Sequence, residues 1–333
     1  MSCLEWIPAF AGMTTIRTLW KRIEATIAAR PYIANRLQYR SMLTATPISA
    51  SALTSHTPPP LERLKSVLLA FDRCAVAVSG GVDSLTLARI AHDALGNNVT
   101  MYHAVSPAVP AEATQRVRAL AQLYGWQLEV IDAGEFDSED YMRNPVNRCF
   151  FCKTSLYDAI QAIAKQTNAQ ILSGTNTDDL GEYRPGLEAA KQHGVRHPFV
   201  EAGICKVDVR ALARQLGMDD VAELPAAPCL SSRVETGIAI NAETLKAIHA
   251  TEKLVSAELK PKTVRCRVRA NGVVIELDNA TLALLDEKTR EELTSEIGNV
   301  FQQRDVATSI SFAPYRIGSA FLVKPNSLLT TNT

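Results

Sequence analysis

The sequence predicts an α/β fold, a doubly wound parallel sheet followed by a smaller α+β module, and three observations carry that expectation. Short apolar runs alternate with segments of helical periodicity through the first part of the chain beyond Pro60, the pattern of parallel βαβ units. The run Cys74–Val78 passes through Ser79-Gly80-Gly81-Val82-Asp83-Ser84 into an apolar-periodic segment containing Leu85, Leu87, Ile90 and Ala91. A second run, Ala169–Ser173, leads into another polar turn, Gly174-Thr175-Asn176-Thr177-Asp178-Asp179. In doubly wound sheets ligands lie beyond the carboxyl ends of the strands, where both turns fall.

The elements follow in order. Leu61–Leu69 reads as a helix before the strand Cys74–Val78, Val99–Val105 as a strand, Ala111–Tyr124 as a helix and Gln127–Ile131 as a strand. Thr154–Gln166 places Leu156, Ile160 and Ile163 on one helical face, with Ala169–Ser173 as the next strand. Val207–Leu216 is a helix closed by Gly217. Past Pro228 the pattern changes: a helix over Asn241–Leu259, strands over Thr263–Val268 and Gly272–Leu277 around Ala270-Asn271-Gly272, a helix over Thr281–Ile297 and a last strand over Val306–Phe312. The expected organisation is therefore an extension over residues 1–60, an α/β sheet domain over 61–228 and a smaller α+β domain over 229–333.

The 333 residues hold 35 Lys+Arg and 35 Asp+Glu. That balance offers no general attraction to nucleic acid. No apolar run approaches the roughly 18–20 residues that span a bilayer, so neither nucleic acid nor membrane is an expected partner. Residues 1–60 carry Arg17, Lys21, Arg22, Arg30, Arg36 and Arg40 against Glu5 and Glu24 and end in Pro58-Pro59-Pro60. This is the composition of a transit peptide or of an extension preceding a start at Met42, the second being favoured; Thr15–Ala29 could form a short helix. Seven cysteines, an odd number, without a secretory signal point to a reducing, cytoplasmic setting.

The turn Ser79–Ser84 aims unpaired backbone N–H groups at one point beside the positive end of a helix. Gly80 and Gly81 admit close approach by phosphate oxygens, Val82 opens the helix, Ser79 and Ser84 offer hydroxyl donors, and Asp83 can hold a helix-start amide or a metal ion. A glycine turn alone is often only a tight connection. The whole hexapeptide resembles the pyrophosphate loop of the N-type ATP pyrophosphatases and is not a Walker loop. Arg148-Cys149-Phe150-Phe151-Cys152-Lys153 precedes the helix at Thr154. Its C-x-x-C reads as a redox dithiol, half a zinc site, part of an iron–sulfur site, or two unpaired thiols. Cys74 reads as core, and Cys229 stands in Pro228-Cys229-Leu230-Ser231-Ser232-Arg233 at the expected domain junction.

SGGVDS (79–84), NRCFFCKTSLY (147–157), the long block 173–203, PCLSSR (228–233), RVRANG (267–272) and YRIGS (315–319) together resemble the LarE family of ATP-dependent sulfur transferases in nickel-pincer nucleotide synthesis. The resemblance implies adenylylation of a carboxylate of pyridinium-3,5-biscarboxylic acid mononucleotide by ATP with Mg²⁺, then replacement of AMP by sulfur in a homo-oligomer. It implies that Cys149, Cys152 and Cys229 hold a [4Fe–4S] cluster, as in the three-cysteine branch, with Cys229 also catalytic. The other branch sacrifices the sulfur of a single cysteine at the position of Cys229. The resemblance also implies that Arg267 and Arg269 grip the substrate phosphate, although an exposed charged strand face is an ordinary alternative. Asp178 and Asp179 would carry Mg²⁺ or cap the following segment. Gly174 and Thr175 would line the nucleotide, Glu182 and Asp83 would act in catalysis, and His103 would lie near adenine unless it is structural. Competing readings are a tRNA thiolase, an amidating ATP pyrophosphatase and an adenine-nucleotide sensor. Departures from the family pattern fall in Met218–Ala227, at Cys205 and at Ser311.

Overall fold

A computed structural model of the chain describes residues 57–181, 184–302 and 309–321. The readings for Thr15–Ala29, for Glu182 and for the start of the last expected strand lie outside the described residues. Helix α1 (Pro60–Leu68), with proline at its first position, buries Leu64 and Leu68 under the sheet that follows. Strands β1 (Cys74–Ala77), β2 (Val99–Ala104), β3 (Gln127–Ile131) and β4 (Gln170–Ser173) run parallel in the order β3-β2-β1-β4. From β1 the chain steps outward to β2 and β3, then returns to place β4 on the other side of β1. That reversal makes the carboxyl ends of β1 and β4 the topological switch point, where such sheets open a ligand crevice.

Helix α2 (Val82–Leu95) leaves β1 through the glycine turn and buries Leu85, Leu87, Ile90 and Ala91. Helix α3 (Ala111–Tyr124) joins β2 to β3 and is closed by Gly125. The short α4 (Glu139–Met142) precedes α5 (Arg148–Ala164), which returns to β4. Here the structure corrects the sequence reading, since α5 starts six residues before Thr154. The buried Arg148 anchors this early turn through bonds to Asn144 Oδ1 (2.5 Å) and the Ser231 carbonyl (3.0 Å). Such tertiary anchors are invisible in local sequence. The shift places Cys149 and Cys152 within the helix, three residues apart on one face.

After β4 come α6 (Pro185–Gln192), α7 (Pro198–Glu201), α8 (Lys206–Gln215) and α9 (Asp219–Ala222). The second sheet follows α10 (Ala242–Leu259), whose start is capped by Asn241. Strands β5 (Val264–Arg269) and β6 (Gly272–Leu277) are antiparallel, and β7 (Ile310–Pro314) pairs parallel to β6. The single helix expected over Thr281–Ile297 is two, α11 (Asn279–Leu284) and α12 (Glu287–Gln302). Leu285 is extended, and Asp286 accepts from the Thr289 amide at 2.8 Å, which starts a new helix.

The core of this second sheet (Cys266, Ile275, Leu277, Ile248, Ile297, Phe301) also takes in Ala108 and Tyr141. Backbone bonds from Leu230 to Ala108, from Gly237 to Asn144 and from Ile240 to Met142 tie the segment after Cys229 to the loops beyond β2 and β3. Among the described residues no helix is long and apolar enough to cross a membrane.

Candidate functional site

The turn after β1 is locked from within. Gly80 sits at φ +84°, and a Cβ there would come within 2.9 Å of the Ala113 carbonyl, so glycine is required on both counts. The Ser84 hydroxyl accepts from the Ser79 amide (3.1 Å), donates to the Gly81 carbonyl (3.1 Å) and meets Ser79 Oγ at 3.2 Å. Ser84 is therefore an internal brace of the turn, whereas Ser79 is exposed at its mouth. Arg116, from α3, donates to the Gly80 carbonyl at 2.7 Å.

The turn after β4 presses against this one. An added Cβ on Gly174 would stand 2.9 Å from Asp83 C and Ser84 N, so the two turns touch backbone to backbone. Asn176 donates to Asp83 Oδ1 at 3.0 Å, and Lys206 Nζ approaches Asp83 Oδ2 at 2.5 Å. Among the described residues Asp83 thus accepts from two side chains rather than from a helix-start amide, and it ties the switch-point turns together. Asp178 accepts from the Lys206 amide (3.1 Å), and Asp179 accepts from the Asn176 amide (3.0 Å) and pairs with Arg184 (2.8 Å). These carboxylates cap and brace the turn, and among the described residues no group of three His, Cys, Asp or Glu side chains is arranged to hold a metal ion.

His103 is almost wholly buried at the end of β2. Its Nδ1 meets the Val78 carbonyl at 2.7 Å and its Nε2 the Thr114 hydroxyl at 2.9 Å. A carbonyl can only accept, so Nδ1 carries the proton and Thr114 donates to Nε2. Burial holds the imidazole pKa below the ordinary value, opposed by the Val78 carbonyl. Both ring nitrogens are engaged, and the residue fastens the strand end that bears the loop. Thr175 and Ser173 hydroxyls lie 3.0 Å apart, and Ser173 Oγ meets His197 Nδ1 at 3.1 Å.

Cys149, Cys152 and Cys229 lie within electrostatic reach of one another without standing in the close arrangement of a metal site. Burial raises the Cys149 thiol and takes Cys152 up to about 12; for both, the next contribution is the nearby Cys229, while Lys153 opposes the rise. Arg148 beside them has a buried Nη2 without a hydrogen-bond partner. Cys229 precedes a short turn, Leu230–Arg233, in which Ser231 accepts or donates to Tyr141 Oη at 2.6 Å. The remaining described cysteines stand apart: Cys74 and Cys266 are buried core residues, and Cys205 caps α8 with Asp208.

The arginines of β5 differ from one another. Arg267 is buried, bonded to Glu276 Oε2 (3.0 Å) and to the Ser232 carbonyl (3.0 Å). Arg269 is a quarter exposed and meets the other oxygen of Glu276 at 3.0 Å, leaving its Nε buried and unpartnered. The strand face is neither bare nor exposed: a buried glutamate holds both forks.

No protein-family model matches the chain. An uncharacterized protein of Synechocystis is 39% identical over 218 residues, covering 65% of this chain and 81% of the relative. The pyridinium-3,5-bisthiocarboxylic acid mononucleotide synthase of Lactiplantibacillus plantarum is 30% identical over 237 residues, 70% of this chain and 85% of the synthase. The chain belongs to the LarE family. A more distant match, 24% identical over 202 residues, is to a glutamine-hydrolysing GMP synthase polypeptide from Methanopyrus kandleri, 64% of which is covered.

Set against the LarE family, four groups escaped the sequence reading: Asn176, Arg116, Lys206 and Lys153. Lys206 had a local signal. A lysine at the first position of a helix opposes the helix dipole, and residues that break a local rule mark function more often than chance. Lys153 had one too, as a cation directly after the second cysteine. Asn176 and Arg116 had none, because their partners lie 93 and 36 residues away.

Proposed function

We propose that this LarE-family chain is an ATP-dependent sulfur transferase acting on pyridinium-3,5-biscarboxylic acid mononucleotide. A carboxylate oxygen of the substrate attacks the α-phosphorus of ATP; the bond to pyrophosphate breaks, leaving an acyl-adenylate. A sulfur nucleophile then attacks the acyl carbon, and the C–O bond to AMP breaks to give the thiocarboxylate. The observation that carries this reading is the Ser79–Ser84 turn braced at the sheet's switch point in a chain 30% identical to the synthase.

In this reading the amides of Gly80–Ser84 and the Lys206 ammonium receive the pyrophosphate, preorganised donors for charge that develops as it leaves. Among the described residues the magnesium ion expected with ATP has no carboxylate cluster to hold it, since Asp83, Asp178 and Asp179 are engaged by protein donors, and no step is assigned to it. Arg269, the more open of the two arginines, grips the nucleotide phosphate, and Arg267 holds Glu276 and the Ser232 turn in place.

Cys149, Cys152 and Cys229 would hold the [4Fe–4S] cluster: three thiols share one neighbourhood, and the unpaired Arg148 Nη2 lies beside it. When bound, a cluster with three protein thiolates offers one iron for an exchangeable sulfide. The protein would work in the cytoplasm as a homo-oligomer.

The test is anaerobic reaction with ATP, Mg²⁺, sulfide and the biscarboxylate nucleotide. AMP, pyrophosphate and thiocarboxylate in repeated turnovers are expected, with protein colour and activity lost in Cys149→Ala, Cys152→Ala and Cys229→Ala. ADP and phosphate as products would overturn the reaction class. An active Cys149→Ala protein whose intact mass falls by about 34 Da, the loss of H₂S from Cys229, would overturn the cluster reading in favour of a sacrificed cysteine.

A further inference from the structure

We propose that His197 is a positioning residue of the nucleotide site: through Ser173 it turns the Thr175 hydroxyl into a hydrogen-bond donor for a phosphate of ATP. The inference rests on the ATP use proposed above. The three side chains form a row at the carboxyl end of β4, with Thr175 Oγ1 3.0 Å from Ser173 Oγ and Ser173 Oγ 3.1 Å from His197 Nδ1. Backbone pairing fixes the row. Arg196 lies beside β4, its amide donating to the Ile171 carbonyl and its carbonyl accepting from the Ser173 amide, each at 3.0 Å. His197 comes next in the chain and so stands against Ser173. Its own amide donates to Glu201 Oε1 at 3.3 Å, and the Arg196 fork holds both oxygens of that glutamate, at 2.8 and 2.6 Å. At the other end Thr175 follows Gly174, the residue pressed against the backbone of Asp83 and Ser84. The row therefore ends beside the pyrophosphate loop.

Counting protons gives the row a direction. Ser173 is buried, and among the described residues its hydroxyl meets these two partners and no others. It has one proton to give. If Ser173 donates to His197, Thr175 has to donate inward to Ser173, and lone pairs alone face the nucleotide. If Nδ1 carries a proton and donates to Ser173, then Ser173 donates to Thr175 and the Thr175 proton is left for the site. Phosphate oxygens accept and do not donate, so a row beside a phosphate site serves it in the second direction. Bonds aligned head to tail in this way also strengthen one another. Burial holds the His197 imidazole below its ordinary pKa; Glu201 and Asp179 oppose that fall and Lys153 adds to it. The ring is then neutral at pH 7, with a single proton, and the row places that proton on Nδ1.

The test uses the full chain with ATP and Mg²⁺ and without the second substrate, so that nothing turns over. Long-range proton–nitrogen correlation spectra of the wild-type protein, with the His197 ring assigned by its absence in His197→Asn, should show the proton on Nδ1 when ATP is bound. Calorimetry reads the coupling. Thr175→Val should weaken ATP about ten- to a hundred-fold, the loss of one hydrogen bond to a charged group, and leave adenosine within about two-fold of wild type. His197→Phe should weaken ATP about three- to ten-fold in the wild-type background, the loss of a neutral bond, and by less than about two-fold once Thr175→Val is present. His197→Asn, which restores a donor, should recover most of that loss. A bound-state ring protonated on Nε2 with Nδ1 bare would overturn the assignment. So would ATP affinity unchanged in Thr175→Val, or an equal loss from His197→Phe in both backgrounds, which is the mark of a merely structural histidine. A wild-type protein that binds no ATP would overturn the nucleotide reading and this inference with it.

Discussion

Replacing Gly174 by alanine isolates the contact between the two switch-point turns. The backbone there is not in the left-handed region, so alanine is conformationally admissible and the effect is steric. Its Cβ would lie 2.9 Å from Asp83 C and Ser84 N, about 0.5 Å inside the 3.4 Å at which ordinary contact begins. The obstacles are backbone atoms at the first turn of α2, which cannot swing away. Overpacking of this kind costs about 1–3 kcal/mol, and the loss of glycine's freedom in the unfolded chain returns about 0.4–1 kcal/mol. The net is about 1–2 kcal/mol of destabilisation, near 2–8 °C in melting temperature at about 2–4 °C per kcal/mol.

Function should suffer more than stability. Misplacing a reacting group by about 1 Å can cost 10²-fold, so a shift of half that size should slow pyrophosphate release about ten-fold. The assay is pyrophosphate release with ATP and the biscarboxylate nucleotide, alongside thermal unfolding. Gly181→Ala is the matched control: it lies at the end of the same turn, its added Cβ meets nothing within 4 Å among the described residues, and it should leave both readouts at wild-type values or slightly raise the melting temperature. Gly174→Ala with wild-type pyrophosphate release and an unchanged melting temperature would refute the claim that this contact sets the loop.

Lys206→Met should slow pyrophosphate release about 10²–10³-fold, the range for removing a preorganised donor to developing charge, while shifting stability by no more than about 1 kcal/mol because the pair with Asp83 is partly exposed; undiminished release would exclude Lys206 from the site. Arg267→Ala should destabilise the fold by about 3–5 kcal/mol by leaving Glu276 buried and half paired, whereas Arg269→Ala should chiefly weaken nucleotide binding, a contrast read by denaturant unfolding and calorimetry. His103 and His197 are both held below the ordinary imidazole pKa, chiefly by burial. Their folded-state values lie under the unfolded value of about 6.5, so the stability they contribute is complete above that pH and is lost as pH falls through the folded values, each by at most about 1.4 kcal/mol per pH unit. Denaturant midpoints between pH 7 and 5 should fall, and His103→Asn, which keeps a donor for the Val78 carbonyl, should flatten that fall; an equal slope in the variant would count against a neutral buried His103.

The periodicity of the chain determined a good deal by itself. Helix α3 and strands β3 and β6 have the limits read from apolar spacing and turn residues, because alternation and glycine punctuation are local properties. The Ser79–Ser84 turn, its place after a buried strand and the parallel sheet were legible for the same reason. So were the arginines of β5 as a feature of one strand face, since period two needs no tertiary information.

Only the tertiary structure decided what those residues touch. Asp83 meets Asn176 and Lys206 across 93 and 123 positions of sequence, Arg267 meets a buried glutamate on the next strand, and His103 turns both nitrogens to the protein. The start of α5 at Arg148 was hidden because its anchors, Asn144 and Ser231, act through side-chain and carbonyl bonds that no helical pattern encodes. That shift put Cys149, Cys152 and Lys153 on a helix, where their directions are fixed. Local sequence sets which conformations a segment can adopt; desolvation and long-range hydrogen bonding select among them, and those forces exist only once distant parts of the chain have met.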